Sequence, residues 1–220
     1  MLSACGSYKY YNPTPIATLP EEKGELMVQG DIGSSGASIK SSYTVSHNLS
    51  LNFQYNSAFT NYESNDVEIA VGYFEKDGNF GYHGLVGLGF GNNLEYTDST
   101  KSVIEYKGKY ARPYVQGNMG LGNLKLFGNI RTDLIFLFRV NYLVYTGTYQ
   151  DNRVNNNLTA NYFLYEPGFS VGLGGNIFKM NFSCYVPLRI RAYAANNLVR
   201  TFPFSTALGL NFYFNRKTYD

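Results

Sequence analysis

The chain has 220 residues, which fits one domain. Charged residues make up only 15%, against roughly 25% in soluble domains. The formal net charge is +2, and no basic cluster of the kind that tracks phosphates appears, so no nucleic-acid partner is expected. No run of about 18 apolar residues exists, so no transmembrane helix is expected. Two cysteines, Cys5 and Cys184, make no disulfide framework.

Residues 6–23 read as a linker, because Pro13, Pro15 and Pro20 break regular structure and no periodicity appears. From Glu25 to Phe214 the chain then keeps a two-residue rhythm. Strands send successive side chains to opposite faces, so such a rhythm separates an oily face from a polar one. Leu26, Val28 and Ile32 form the oily face of a first strand. A second runs over residues 37–45, and a third sets Leu49, Leu51, Phe53 and Tyr55 against Ser50, Asn52, Gln54 and Asn56. Val67, Ile69, Val71 and Tyr73 mark the fourth. Asp77-Gly78 predicts a hairpin turn. The fifth carries Phe80, Tyr82, Val86, Leu88 and Phe90 against Gly81, His83, Gly87, Gly89 and Gly91, glycines that make room for bulky neighbours.

A sixth strand over residues 103–119 groups Tyr110, Arg112, Tyr114, Gln116 and Asn118, and Gly120–Gly122 is read as the turn after it. The seventh then starts at Leu124 and continues to Asn141. The eighth covers residues 162–173, with Gly174-Gly175 closing its hairpin. Phe178, Met180, Phe182, Cys184, Val186, Leu188 and Ile190 alternate with Lys179, Asn181, Ser183, Tyr185, Arg189 and Arg191 in the ninth. Residues 204–214 form the tenth. Pro113, Pro167 and Pro187 fall inside strands, where bulges or ends of pairing are expected. Short connections alternate with longer polar ones at 58–65, 92–102, 146–157 and 192–201.

The rhythm alone does not say which face points outward. Aromatics are 17% of the chain, with 21 Tyr and no Trp. Tyrosine suits a membrane–water boundary, where the ring is apolar and the hydroxyl stays wet. An outward face of Gly, Ser, Asn and Tyr is weakly charged for a solvent surface, whereas it suits a narrow polar lumen. The expected fold is therefore all-β: an antiparallel, up-and-down transmembrane β-barrel of about ten strands, oily face outward. The alternative is an aromatic-rich soluble barrel with the faces inverted.

Polar residues on the inward face include a charged set: Lys40, Glu68, Arg112, Arg131, Asp133, Arg139, Glu166, Lys179 and Arg189. Unpaired buried charges are costly, so these are expected to pair as a lumen network. Counting back from the predicted tight turns puts Arg112 level with Arg131 and Asp133 one step along, and counting across the loop puts Glu166 near Arg139. The network either fills and rigidifies the lumen or forms a charged constriction for a small solute. Catalysis is not expected. His47 lies in a turn and His83 among glycines deep in the barrel, so neither is at an outer rim, and no metal-ligand spacing or cofactor motif is present.

Leu2-Ser3-Ala4-Cys5 resembles a bacterial lipobox, and Leu208-Gly209-Leu210-Asn211-Phe212-Tyr213-Phe214 resembles the aromatic closing strand of outer-membrane barrels. Together with the strand pattern, the chain resembles the small outer-membrane β-barrel proteins of Gram-negative bacteria, of the Bacteroidota type. The resemblance implies a bacterial outer-membrane location, a signal peptide and a lipid anchor on Cys5. It divides the chain into a lipobox remnant and periplasmic linker (1–23), a barrel (24–215) and a short periplasmic tail (216–220). The linker would tether the first strand to an inner-leaflet lipid. The expected function is a non-enzymatic structural or partner-binding barrel, contacting outer-membrane lipid and possible protein partners through the four longer connections. A narrow channel for small solutes is the alternative and a barrel-embedded enzyme the third reading. If the lipobox is genuine, the precursor continues upstream into an apolar stretch. Metabolic acyl labelling should then disappear in Cys5→Ala, and unchanged labelling removes the anchor.

Overall fold

The structure is a computed structural model that describes residues 8–10, 13–34, 36–58, 62–99, 102–151, 154–192, 199–201 and 204–215. Its strands are β1 (Tyr8–Tyr10), β2 (Leu26–Gly33), β3 (Gly36–Thr44), β4 (Leu49–Ser57), β5 (Tyr62–Asp77), β6 (Phe80–Ser99), β7 (Ser102–Phe127), β8 (Ile130–Asp151), β9 (Val154–Gly174), β10 (Phe178–Tyr185), β11 (Leu188–Ala192), β12 (Val199–Thr201) and β13 (Ser205–Phe214). Neighbours in sequence pair antiparallel from β2 to β9, β13 pairs with β2, and β10 pairs with both β13 and β9. The sheet thus closes on itself through the β13–β2 and β10–β9 pairs. β10 and β11 lie end to end against β9, so the eleven-strand sheet is a barrel of ten positions.

The oily face points outward. Val86 is 66% exposed and Ile39 59%, while Lys40, Arg112 and Arg139 are 0% exposed on the other face. The outward face also shows where a bilayer begins. On β6 it reads Phe80, Tyr82, Val86 and Phe90, then Asn92. On β8 it reads Phe136, Phe138 and Val140 up to Val144, then Thr146 and Thr148. The change from apolar to polar falls at one register-matched row, Asn65–Asn92–Lys109–Thr146–Thr159, across β5 to β9. Below that row, each of these strands has more than the nine to eleven residues needed to cross a bilayer. Tyr43, Tyr73 and Tyr82 lie outward toward the other end, and Tyr55 donates to Asn65 Oδ1 at 2.9 Å beside the polar row. Tyrosines at both boundaries match the aromatic girdles of membrane barrels.

Three features differ from the sequence expectations. The turn after β7 is Gly128-Asn129, with Gly128 at φ +55°, and not Gly120–Gly122. Leu124 and Leu126 therefore belong to β7. The Gly120–Gly122 stretch leads instead into a bulge between Leu121 and Leu124, where Asn123 takes a φ of +57°. Residues 92–99 and 146–151, expected as loop, remain paired strand, since polarity takes them out of the membrane without taking them out of the sheet. Finally, of the three prolines expected to break pairing, Pro113 and Pro187 do so and Pro167 does not. Val186-Pro187 separates β10 from β11, and Arg112-Pro113 interrupts the pairing of β7 with β8. Pro167 sits in an unbroken β8–β9 register and accepts a bond from Val186 N at 2.9 Å.

If the apolar belt faces lipid, position decides the cost of a charge. Val115→Arg, near mid-belt on β7, should destabilise by about 2–4 kcal/mol, and Thr146→Arg, in the polar row, by about 0–1 kcal/mol. Denaturant unfolding in lipid vesicles measures both. Equal costs would remove the assigned boundary.

Candidate functional site

The lumen is built from side chains that meet across the sheet at matched register. One row runs Gln29–Lys40–Gln54–Glu68–Gly89–Arg112 over β2 to β7. Gly89 separates Glu68 from Arg112. An added Cβ there would stand 3.3 Å from both Arg112 Nε and Glu68 Cγ, so the glycine lets carboxylate and guanidinium meet over β6. Arg112 Nη2 donates to Glu68 Oε1, and lies 3.4 Å from Asp66 Oδ1. Arg139 Nη1 donates to the same Glu68 oxygen at 3.1 Å, and its Nε donates to Gln116 at 2.9 Å. Glu166, paired with Arg139 in register, stands 4.0 Å from its Nε. The Arg139 guanidinium also lies 4.2 Å from the centre of the Tyr114 ring.

Two further pairs complete the network. Lys40 Nζ meets Asp31 at 2.5 Å, and Asp31 also accepts from Gln29 at 2.7 Å and Ser38 at 3.2 Å. Toward the turn end, Lys179 Nζ donates to Asp133 at 2.6 Å and to Asn123 at 2.9 Å. Each fully buried lumen cation thus has a carboxylate within 4 Å, the condition under which burial is tolerated.

The space these rows leave is occupied by the chain itself. Pro13 to Thr18 and Pro20 are buried in the lumen, so at least this part of the expected linker 6–23 is an internal plug. The wall holds it mainly by its carbonyls. Gln54 donates to Thr14 O at 2.7 Å, and Lys40 to Pro15 O at 3.2 Å. Gln116 and Asn118 donate to Ile16 O at 2.7 and 2.9 Å, and Asn118 reaches Thr18 O at 3.2 Å. Ile16 packs with Met27 and Tyr213, and Ala17 with Ile135 and Leu137. At the turn end, Glu21 accepts from Lys76 at 2.9 Å and from Asn123 at 2.8 Å.

Of the charged residues singled out from sequence, Lys40, Glu68, Arg112, Asp133, Arg139, Glu166 and Lys179 are buried in the lumen. Arg131 and Arg189 are half-buried. Arg189 stacks 4.1 Å over the Tyr162 ring. Arg131 lies opposite Lys125 and Gly174 at the turn end, far along β8 from the level of Arg112. The expected Arg112–Arg131 level is therefore corrected, because it was counted from the wrong turn. The signal for the right one is present: Phe127-Gly128-Asn129-Ile130 repeats the Gly-Asn of the Gly78-Asn79 turn. Asp31, Asp66, Glu21 and Lys76 are network members that sequence reasoning missed. Cys5 lies outside the described residues.

His83 is 1% exposed, and its Nε2 lies 2.7 Å from Ser50 Oγ. That is the spacing of a nucleophile and its base. Its Nδ1, however, faces the hydroxyl of plug residue Thr18 at 3.2 Å and not a carboxylate, so the pair serves as another plug anchor. Among the described residues, no group of three or more His, Cys, Asp or Glu is arranged to hold a metal ion.

No protein-family model matches the chain, and no curated protein matches it. Among solved structures it is similar to a KdgM porin in complex with disordered oligogalacturonate. The identity is 14%, the match covers 87% of this chain and 99% of that one, and the TM-score is 0.36. A likeness that loose says nothing of what this chain passes or binds.

Removing one partner of a buried ion pair takes the nearest compensating charge from the other. Glu68→Ala leaves Arg112 and Arg139 without the oxygen they share and should destabilise the barrel by about 3–5 kcal/mol. Glu75→Ala, on the exposed face of β5, should cost far less. Unfolding of the two variants in detergent or lipid gives the comparison, and similar losses would show that Glu68 is not a hub.

Proposed function

We propose that the chain is a non-enzymatic outer-membrane β-barrel whose lumen is a narrow passage for small solutes, held shut by its own N-terminal segment. The observation that carries this reading is the burial of Pro13–Thr18 and Pro20 inside a charged, closed ring. The plug is not a wall strand. It is an extended segment gripped by side chains, and its departure would leave a tunnel about one chain wide, lined by Lys40, Arg112, Arg139 and their carboxylates. The apolar belt and girdle tyrosines support contact with outer-membrane lipid. The turns at 45–48, 78–79, 128–129 and 175–177 are short, and β6 to β9 extend beyond the belt at the other end. That asymmetry supports a periplasmic turn end and an outer hairpin end. A lipid on Cys5 belongs to the same reading, through the lipobox.

A second reading is a structural or partner-binding barrel. It is favoured by the filled lumen and by the polar ribbons of β6 to β9, which include residues 92–99 and 146–151 of the expected contact loops.

Planar-bilayer recording separates the two. The full chain should show little or no steady conductance. A variant lacking residues 1–20, and one with Gln54, Gln116 and Asn118 replaced by alanine, should show openings whose ion preference shifts on Arg139→Gln. Silence of both variants, with the barrel shown folded by heat-modifiable gel mobility, would leave the structural reading. Steady conductance of the full chain would remove the plug as a closure.

A further inference from the structure

The first barrel strand, β2, begins at the turn end of the barrel. The chain that precedes it does not stay there. Leu19 and Pro20 line a small cavity with Glu25, Thr44 and Tyr213 at the turn end. Pro13 and Thr14 line another with Gly36, Ala37, Asn56, Ala58 and Ser64, at the opposite end. Between them the carbonyl contacts climb in order, from Asn118 at Thr18 to Gln54 at Thr14. Further upstream, Tyr8–Tyr10 pairs in parallel with Val199–Thr201, which belongs to the connection between β11 and β13 at the hairpin end.

We propose that the barrel holds its N-terminal segment threaded through the membrane, so that the chain upstream of Tyr8 opens on the side of the long hairpins. With the orientation given under Proposed function, that side is the cell surface, and the barrel presents the chain upstream of Tyr8 there. Chain length then fixes the leaflet of any lipid. Cys5 is three residues from Tyr8, a reach of at most about 11 Å. The apolar belt of such barrels is about 25 Å tall. An acyl group on Cys5 would insert in the leaflet at the hairpin end, and could not cross the belt to the inner leaflet expected for a periplasmic tether. The barrel then replaces the lipid tether as the link between that segment and the periplasmic side.

The native lysines test this without substitution. Intact cells carrying the full chain are treated with a membrane-impermeant sulfonated amine-reactive ester, and modified peptides are identified by mass spectrometry. Lys107 and Lys109 are exposed at the hairpin end, and Lys23 and Lys125 at the turn end. Lys9 should be modified together with Lys107 and Lys109, with Lys23 and Lys125 reacting only after lysis. Modification of Lys9 only with Lys23 and Lys125 would overturn the threading. If Lys23 and Lys125 react in intact cells and Lys107 and Lys109 do not, the barrel orientation fails, while threading still requires Lys9 to follow Lys107. A second measurement decides should Lys9 stay unmodified throughout. Thr14 Oγ1 and Ser38 Oγ lie 3.3 Å apart, so Thr14→Cys with Ser38→Cys should oxidise to an intramolecular disulfide in the membrane. Failure to cross-link in folded protein would overturn the proposal.

Discussion

The oxygen that Glu68 shares between Arg112 and Arg139 is the contact on which the interior depends. Closing a sheet into a ring removes its edges, but it also traps whatever the inward face carries. Here that face carries guanidinium, ammonium and carboxylate groups at 0% exposure. Charges taken out of water are tolerated only with close partners and further hydrogen bonds. The register supplies both. Strand pairing sets Glu68, Gly89 and Arg112 level, and the missing side chain at Gly89 lets the outer two meet. Gly87 and Gly91 do the same for tyrosines. A Cβ at either would stand within 2.4 Å of the Tyr114 or Tyr110 ring carbon Cζ. Wall chemistry and wall geometry are therefore one constraint, since a slip of register would misplace every pair at once.

That coupling explains what could be read from the sequence. Alternation identifies the faces because lipid and lumen demand opposite chemistry, so Phe178 to Ile190 gives its orientation away residue by residue. Arg139 and Glu166 could be matched because the register between them runs without a shift as far as the Asp151–Val154 pair, so an even count across the expected loop lands correctly. Arg112 could not be placed, because three glycine-rich positions at 120–122 look more like a turn than Gly128-Asn129 does. Glycine there answers a different need: an added Cβ at Gly120 would stand 1.9 Å from Leu134 O on the neighbouring strand. The extent of β6 to β9 was hidden for a related reason. Alternation of oily and polar residues reports the membrane, and stops where the membrane stops. Backbone pairing carries on through Asn92, Lys107 and Thr148, and composition does not record it.

The plug left no pattern to read, and its physical chemistry says why. A segment bound through its carbonyls presents groups that every residue has, so no side-chain rhythm records the contact. The prolines pointed away from it, since they break regular structure. Inside a lumen the same property is an advantage. A buried backbone must satisfy each N–H and each C=O, and proline has no N–H to satisfy. Pro13, Pro15 and Pro20 thus reduce the donors to be matched, while Gln54, Lys40, Gln116 and Asn118 supply partners for the carbonyls that remain. Proline also restricts itself and the residue before it to extended conformations. Less conformational entropy is then lost when the segment is confined. Net hydrogen bonds of this kind are worth about 0.5–1.5 kcal/mol each. The grip is accordingly a handful of modest contacts plus the packing of Ile16 and Ala17, against a wall stabilised by ion pairs that do not depend on the plug. Lys40 joins the two sets, bonded at once to Asp31 of the wall and to Pro15 O of the segment, as do Gln116, between Arg139 and Ile16 O, and Asn123, between Lys179 and Glu21. The fully buried cations Lys40, Arg112, Arg139 and Lys179 nevertheless each keep a wall carboxylate within 4 Å whether the segment is present or absent, which is what a removable occupant requires.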